Sequence, residues 1–153
     1  NGREITDRHY DYKLDFLYHL AHYAENNAHS KLLLTGDFNI APRDEDVWDI
    51  EAFRGKTHVT EPERAAFQML EEAGLEEVTR RFTQDQRYTY FDYKGMRFQK
   101  NEGMRIDFQL ASAPLAQLVT GAQVDMVERA GDKTSDHCLL IADYDLPDFD
   151  SVR

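Results

Sequence analysis

The sequence predicts an α/β domain, and three observations carry that prediction. Two amphipathic helical stretches are spaced along the chain. Short apolar runs of strand length lie between and after them. Three of those runs adjoin small polar clusters: Asp37 with Asn39, Arg105 with Asp107, and Ser135-Asp136-His137. At 153 residues the chain has the size of one domain and can bury a sizeable core.

The first helix is predicted over residues 11–28, where Leu14, Leu17, Leu20, Ala21 and Ala24 share one stripe. Residues 31–35 predict a buried strand, because Leu32-Leu33-Leu34 is apolar without a break. A polar, acid-rich loop follows. Pro42 blocks an immediate helix there, and Trp48 and Phe53 are expected to tack the loop down. Thr60-Glu61-Pro62-Glu63 predicts a helix start: Thr60 caps the amides, Glu63 holds the capping-box position and Pro62 fits the first turn. That helix carries Ala66, Phe67, Leu70 and Ala73 on its apolar side and stops at Gly74, with Leu75 and Val78 packing past its end. Tyr88–Tyr93 alternates aromatic and polar residues and reads as a strand or extended edge, closed by a turn at Lys94-Gly95. Further strands are predicted over 106–111, 122–127 and 138–144. The run from Cys138 is apolar at consecutive positions, which predicts a central strand covered on both faces. The acidic tail from Asp145 is expected to be loose. No repeat, low-complexity tract or linker divides the chain.

Composition narrows the class. Apolar residues are 41% and charged residues 31% of the chain, which argues against disorder. No apolar run approaches the length of a membrane span, and no signal-peptide pattern opens the chain, so no membrane partner is expected. Cys138 is the single cysteine, so no internal disulfide forms, and a cytoplasmic location is the expectation. Its apolar neighbours predict a small buried residue rather than a reactive thiol. The net charge of −11 disfavours broad nucleic-acid binding, because phosphate neutralisation needs Lys and Arg. A basic segment stands against that acidic body: Arg80-Arg81, Arg87, Lys94, Arg97, Lys100 and Arg105.

Asp37 and Asn39 lie two positions apart, so on an extended backbone their side chains point the same way. The carboxylate can take a proton or hold a metal, and the carboxamide can donate to an oxyanion. Taken singly, each cluster has a plainer reading. Asp-x-Asn serves turns, and Asp107 beside Arg105 can be an ion pair. Their conjunction at three strand ends predicts a site suited to metal-assisted phosphoester cleavage.

The same residues carry a family resemblance. Residues 33–42, with Gly36-Asp37-Phe38-Asn39-Ile40-Ala41-Pro42, resemble the GDxNxxP segment of the exonuclease III family of DNA-repair nucleases. Arg105-Ile106-Asp107 with Ala111-Ser112 resembles its RIDxxLAS segment, and Ser135-Asp136-His137 its terminal SDH motif. Tyr88–Tyr93 and Asn101-x-Gly103 also fit. The resemblance extends from the first residues to Tyr144. It implies half of a four-layer, DNase I-like α/β sandwich: mixed β-sheet with flanking helices. Residues 1–153 would be the C-terminal portion of one endonuclease/exonuclease/phosphatase domain, in keeping with a start at Asn1-Gly2 without Met. The family's catalytic Tyr, its metal-binding Glu and a further Asn belong to the first half and have no position here.

The resemblance also implies roles. Asp37 would be the general base or orient the attacking water. Asn39 would hold the nucleophile or stabilise phosphorane-like charge. His137 would bind a phosphate oxygen, with Asp107 fixing its tautomer. Asp136, with Asp37 and Asn39, would serve a metal site for Mg²⁺, or Mn²⁺ in its place. Tyr90, Phe91 and Arg105 would contact DNA, Tyr90 standing where the family has a Trp near the damaged nucleotide. Implied partners are double-stranded DNA with abasic sites or 3′ ends, and the missing half of the domain or a homodimer mate. The implied location is cytoplasmic, at the nucleoid. Two other readings remain open at this level. One is a phosphodiesterase of the same superfamily acting on phospholipid or inositol phosphates. The other is a non-catalytic half-domain.

Overall fold

A computed structural model describes residues 4–147. The opening Asn1-Gly2 and the acidic tail beyond residue 147 lie outside the described residues. The first helix, α1, runs Arg8–Asn27, three residues earlier than its apolar stripe suggests. Asp7 caps it, its carboxylate accepting from the His9 amide, and the buried side begins with Tyr10 and Lys13 before Leu17, Ala21 and Ala24.

The first strand, β1, is Leu33–Asp37, and here the prediction of a buried strand fails. Leu33 is 36% exposed, and Thr35 to Asp37 are exposed as well. The reason is topological. In a three-stranded antiparallel sheet ordered β1-β3-β2, β1 is an edge strand, with β2 at Leu75–Glu77 and β3 at Asp107–Ser112. Central β3 is the buried strand. Phe108 and Leu110 pack on one side against α1 and helix α3 (Glu61–Glu72), while Ala111 joins a second cluster with Val78, Leu115 and Val119. Burying one such side chain contributes roughly 1.5–3 kcal/mol, so β3 anchors the fold.

Helix α3 follows its sequence signals closely. The Thr60 hydroxyl accepts from the Glu63 amide while the Glu63 carboxylate accepts from the Thr60 amide, a reciprocal cap whose loss costs about 1 kcal/mol. Gly74 ends it at φ 93°, a conformation that disfavours residues with a Cβ. Between β1 and α3 lies the single-turn helix α2, Ile50–Phe53. Trp48 and Phe53 meet edge to face at 6.5 Å, as expected of residues that pin this loop.

The later strands shift from their predicted bounds. The strand expected over 122–127 is β4, Val119–Asp125. It follows the short helix α4, Ala113–Ala116, and ends where Asp125 caps α5, Met126–Arg129, by accepting from Val127 and Glu128 amides. The last strand, β5, is Leu139–Tyr144 and among the described residues pairs only with β4. Its consecutive apolar residues do not make it central: Leu139 is 58% exposed, and exposure alternates along the strand. Gln109 of β3 tethers it, donating to the Leu140 carbonyl and accepting from the Tyr144 hydroxyl. Cys138 is buried as expected, and burial pushes its thiol up to about 11, which keeps it protonated. The strand pairs among the described residues are all antiparallel. Among those residues no helix is long and apolar enough to cross a membrane.

Candidate active site

Register brings the first two carboxylates together. In the β1–β3 ladder Asp37 stands directly opposite Asp107, at the end of the pairing. Strand β1 then leaves the sheet: Asn39 adopts φ 52°, and the Asp37 carboxylate accepts from the Asn39 backbone amide at 2.8 Å and from Asn39 Nδ2 at 2.6 Å. This is local Asx-type chemistry, and it orients Asp37 at the same time.

His137 arrives just before β5. Its Nδ1 lies 2.9 Å from Asp107 Oδ2, and its Nε2 lies 3.9 Å from Asp37 Oδ2. With Asp107 ionised, Nδ1 is the donor and Nε2 faces Asp37. Asp107 is itself held from behind, since Thr89 Oγ1 accepts from the Asp107 amide at 3.1 Å. Tyr90 pairs by isolated bridges with Met104 and His137, and its ring meets the imidazole at 5.0 Å. The segment 88–93 is thus an extended loop rather than a strand. Gly103 lets it close in: a Cβ there would meet Tyr88 Cβ and Phe91 Cε1 at 2.6 Å, nearer than any real contact.

The surroundings shift the titration of both Asp37 and His137. Burial raises the pKa of Asp37, the Asn39 amide opposes, and the neighbouring Asp107 charge adds to the rise. A carboxylate raised this way is a better proton acceptor. His137 is raised chiefly by its hydrogen bond to Asp107, against the opposing effect of burial. Burial, then the Asp92, Asp136 and Asp37 charges, push the Tyr90 phenol up to about 12, so it stays a donor. A titration of the His137 ring by nuclear magnetic resonance should give a midpoint above 6.5, and Asp107→Asn should lower it. The sign for stability follows. The contribution of protonated His137 is complete below the unfolded value near 6.5 and is lost as pH rises through the higher folded value. A midpoint at or below 6.5 in the unaltered protein would remove the Asp107–His137 coupling.

The structure therefore brings together two hydrogen-bonded pairs, Asp37 with Asn39 and Asp107 with His137, which face each other at 3.9 Å between His137 Nε2 and Asp37 Oδ2. Asp136 adjoins them, half-buried, and its charge acts on His137 and Tyr90. Three expectations need correction. Arg105 is 0% exposed and cannot face DNA; its guanidinium donates to the Thr79 and Thr83 hydroxyls and the Arg87 carbonyl, and lies 3.4 Å from Glu77. Phe91 is 1% exposed and fills a core cluster with Val124 and Cys138. Asn39 turns its amide nitrogen to Asp37, so the two do not offer a pair of oxygens to one cation. Part of the basic segment is consumed internally. Arg80 makes two contacts to Asp46, at 2.7 and 3.0 Å, and Arg97 pairs with Glu102. Arg87, Lys94 and Lys100 do remain exposed.

Among the described residues no three His, Cys, Asp or Glu side chains come together to hold a metal ion. Asp37 and Asp136 carry carboxylate oxygens, the donor type a hard divalent cation takes. Sequence reasoning also missed residues behind the site. Lys13 is buried and pairs with fully buried Glu63, while its Nζ donates to the Asn39 carbonyl at 3.1 Å. Its place on the stripe Tyr10, Lys13, Leu17, Ala21 was the available signal, since a Lys at an apolar phase needs a partner. Thr89 and His58 carried no comparable signal.

Residues 6–137 match the sequence pattern of the Endonuclease/Exonuclease/phosphatase family. Exodeoxyribonuclease III of Haemophilus influenzae is 33% identical over 128 residues, covering 78% of this chain and 48% of that protein. A 3′ phosphatase from Neisseria, solved bound to a product DNA hairpin, is similar with a TM-score of 0.89 and 35% identity, covering 95% of this chain and 58% of the other. An AP endonuclease from Archaeoglobus fulgidus is similar with a TM-score of 0.88 and 32% identity over the same shares. The chain spans about half the length of the curated relatives it matches.

Proposed function

Because the chain belongs to the endonuclease/exonuclease/phosphatase family, in its exonuclease III and AP endonuclease branch, we propose that the intact protein hydrolyses DNA phosphodiester bonds. Its substrates are duplexes with abasic sites or 3′ ends, cut 5′ to the abasic site or stepwise from the end. One observation carries the reading: Asp107, His137, Asp37 and Asn39 are linked at a single sheet end, with two carboxylates on either side of one imidazole.

Each residue has a definite task in that reaction. Asp37, its basicity raised by burial, takes the proton of the attacking water, or fixes that water in line with the phosphorus. Asn39 holds the Asp37 carboxylate in place through its backbone and side-chain amides. His137 donates from Nε2 to a non-bridging phosphate oxygen. Asp107 keeps the other ring nitrogen protonated and stabilises the imidazolium as charge builds on phosphorus. Tyr90, half-buried beside His137, lays its ring against the sugar at the cleavage point. Asp37 and Asp136 would contribute oxygen ligands to Mg²⁺, or Mn²⁺ in its place, with the other ligands coming from the part of the domain that the relatives have and this chain does not span. When bound, that cation supplies charge neutralisation at the scissile phosphate.

The intact protein should cleave an abasic duplex or a duplex with a free 3′ end in preference to a phospholipid or inositol phosphate. Cleavage of the lipid headgroup alone would replace this reading by its superfamily alternative. Residues 1–153 alone should be inactive and should not persist as a monomer. A groove of about 510 Å³ between α1 and the open edge of β1 displays Tyr12, Phe16, Leu20 and Leu33, and exposed apolar faces of this kind associate. Light scattering is expected to show dimers, aggregates or a complex with the complementary half. A monodisperse, stable monomer would contradict the expected association, and divalent-dependent cleavage by a contaminant-free sample would contradict the expected inactivity.

A further inference from the structure

Lys13 lies on the buried side of α1, although a lysine is among the residues least often buried. Its Nζ meets three acceptors. It donates to the Glu63 carboxylate, to the Asn39 carbonyl at 3.1 Å and to Thr57 Oγ1 at 3.4 Å. Glu63 is fully buried, and its remaining acceptor sites are filled as well. Thr57 donates its hydroxyl at 2.7 Å, and Thr60 donates its amide at 3.0 Å and its hydroxyl at 2.7 Å. With that hydroxyl proton committed to Glu63, the Tyr10 hydroxyl, 2.6 Å away, is the donor to Thr60 Oγ1. Every member of the network therefore has its partners, the condition under which a buried charged pair rigidifies its surroundings.

The pair Lys13–Glu63 joins α1 to α3 without any help from Asn39. The contact with the Asn39 carbonyl is additional, and it falls on the turn that carries the site. Asn39 stands at φ 52°, and its backbone and side-chain amides both donate to Asp37. A left-handed residue of this kind persists where the surroundings over-determine it. Just past the turn, Ile40 and Ala41 are fully buried, and the Ala41 amide donates to the His58 carbonyl at 2.8 Å. We infer that Lys13 is a positioning residue: by holding the Asn39 carbonyl it fixes the left-handed turn whose two amides orient Asp37. The packing of α1 on α3 thereby sets where the Asp37 carboxylate stands. Lys13 touches no reacting atom in this account and acts through Asn39.

The inference rests on the nuclease reading for its kinetic consequence, but not for its structural one. Three variants of the intact protein test it. Lys13→Met removes the donor and strands Glu63. Lys13→Met with Glu63→Gln removes the donor without leaving a buried, unpaired carboxylate. Glu63→Gln alone breaks the ion pair but keeps an oxygen before Lys13, which still reaches Asn39. On abasic or 3′-ended duplex both variants without Lys13 should lose about tenfold in kcat with KM within about twofold, as displacement of a remote support does. Glu63→Gln should keep kcat and KM within about twofold per folded molecule, although it unfolds at lower urea than the unaltered protein. Should Lys13→Met alone fail to fold, the double variant carries the comparison. A merely structural role makes the rate follow stability. Full kcat in the double variant, or a loss in Glu63→Gln equal to that of the double variant, would overturn the inference. The second readout is hydrogen exchange of backbone amides in the double variant. The Asn39 amide should exchange about tenfold faster than in the unaltered protein, while the Ala41 amide changes by less than about twofold. Unchanged exchange at Asn39 would overturn the role of the contact. Should the unaltered intact protein cleave no DNA, the functional reading fails while the exchange rates still decide whether Lys13 holds the turn.

Discussion

Asp37→Asn in the intact protein should lower the rate of DNA cleavage by about 10²- to 10⁴-fold, the usual weight of a positioned proton acceptor. The substitution keeps size and the local turn but removes the charge that faces His137 at 3.9 Å. His137→Ala should fall by a similar factor, because Asp37, His137 and Asp107 act on one phosphate. Asp107→Asn should lie close behind, since Asn offers His137 Nδ1 a weaker acceptor and no charge. The combined variants should be little worse than the single ones, as expected of groups that work as a unit. Single-turnover rates on an abasic duplex, with circular dichroism to confirm folding, check this. Asp37→Asn and His137→Ala proteins that cleave at the unaltered rate would end the assignment of the site.

Arg105→Met should destabilise the protein by roughly 3–5 kcal/mol, the range for breaking a buried charged pair from one side. Arg105 is fully buried, and Glu77, beside it, is nearly so. Removing the guanidinium takes a charged partner from Glu77, which keeps donors from the Thr79 and Arg80 amides, and leaves the buried Thr79 and Thr83 hydroxyls and the Arg87 carbonyl each short of a donor. The segment 77–87 is thereby released from β3, on whose approach Arg105 stands. Urea unfolding of the intact protein measures the loss, and DNA affinity per folded molecule should be unchanged. A variant within about 0.5 kcal/mol of the unaltered protein, with weakened DNA binding, would restore the expectation that Arg105 touches nucleic acid.

Asp37, Asn39, Asp107 and His137 lie together at one sheet end, whereas Arg105 is buried away from them. Asp37, Asn39, Asp107 and His137 were legible because each ends or adjoins an apolar run, and strand ends converge where a sheet stops. Arg105 sits in the same motif as Asp107 and was read with it. Strand alternation alone places residues 105 and 107 on the same face, so only their different neighbours divide their fates. Asp107 opens onto His137, while Arg105 is enclosed by residues 18 to 28 positions away. Strands β1 and β5 failed for a related reason. A consecutive apolar run marks a strand, but whether both its faces are covered depends on which strands pair with it.

By itself the sequence determined the elements and their ends. Caps at Thr60 and Gly74, the stripe of α1 and the apolar core of β3 are set by interactions within a few residues, which a linear chain displays openly. Only the tertiary structure decided which charges are buried, which strand edges stay open, and that Lys13 and His58 close on Asn39 from 26 and 19 positions away. Those outcomes depend on register and packing between distant segments, where desolvation and hydrogen-bond geometry act on groups that the order of residues leaves unconnected.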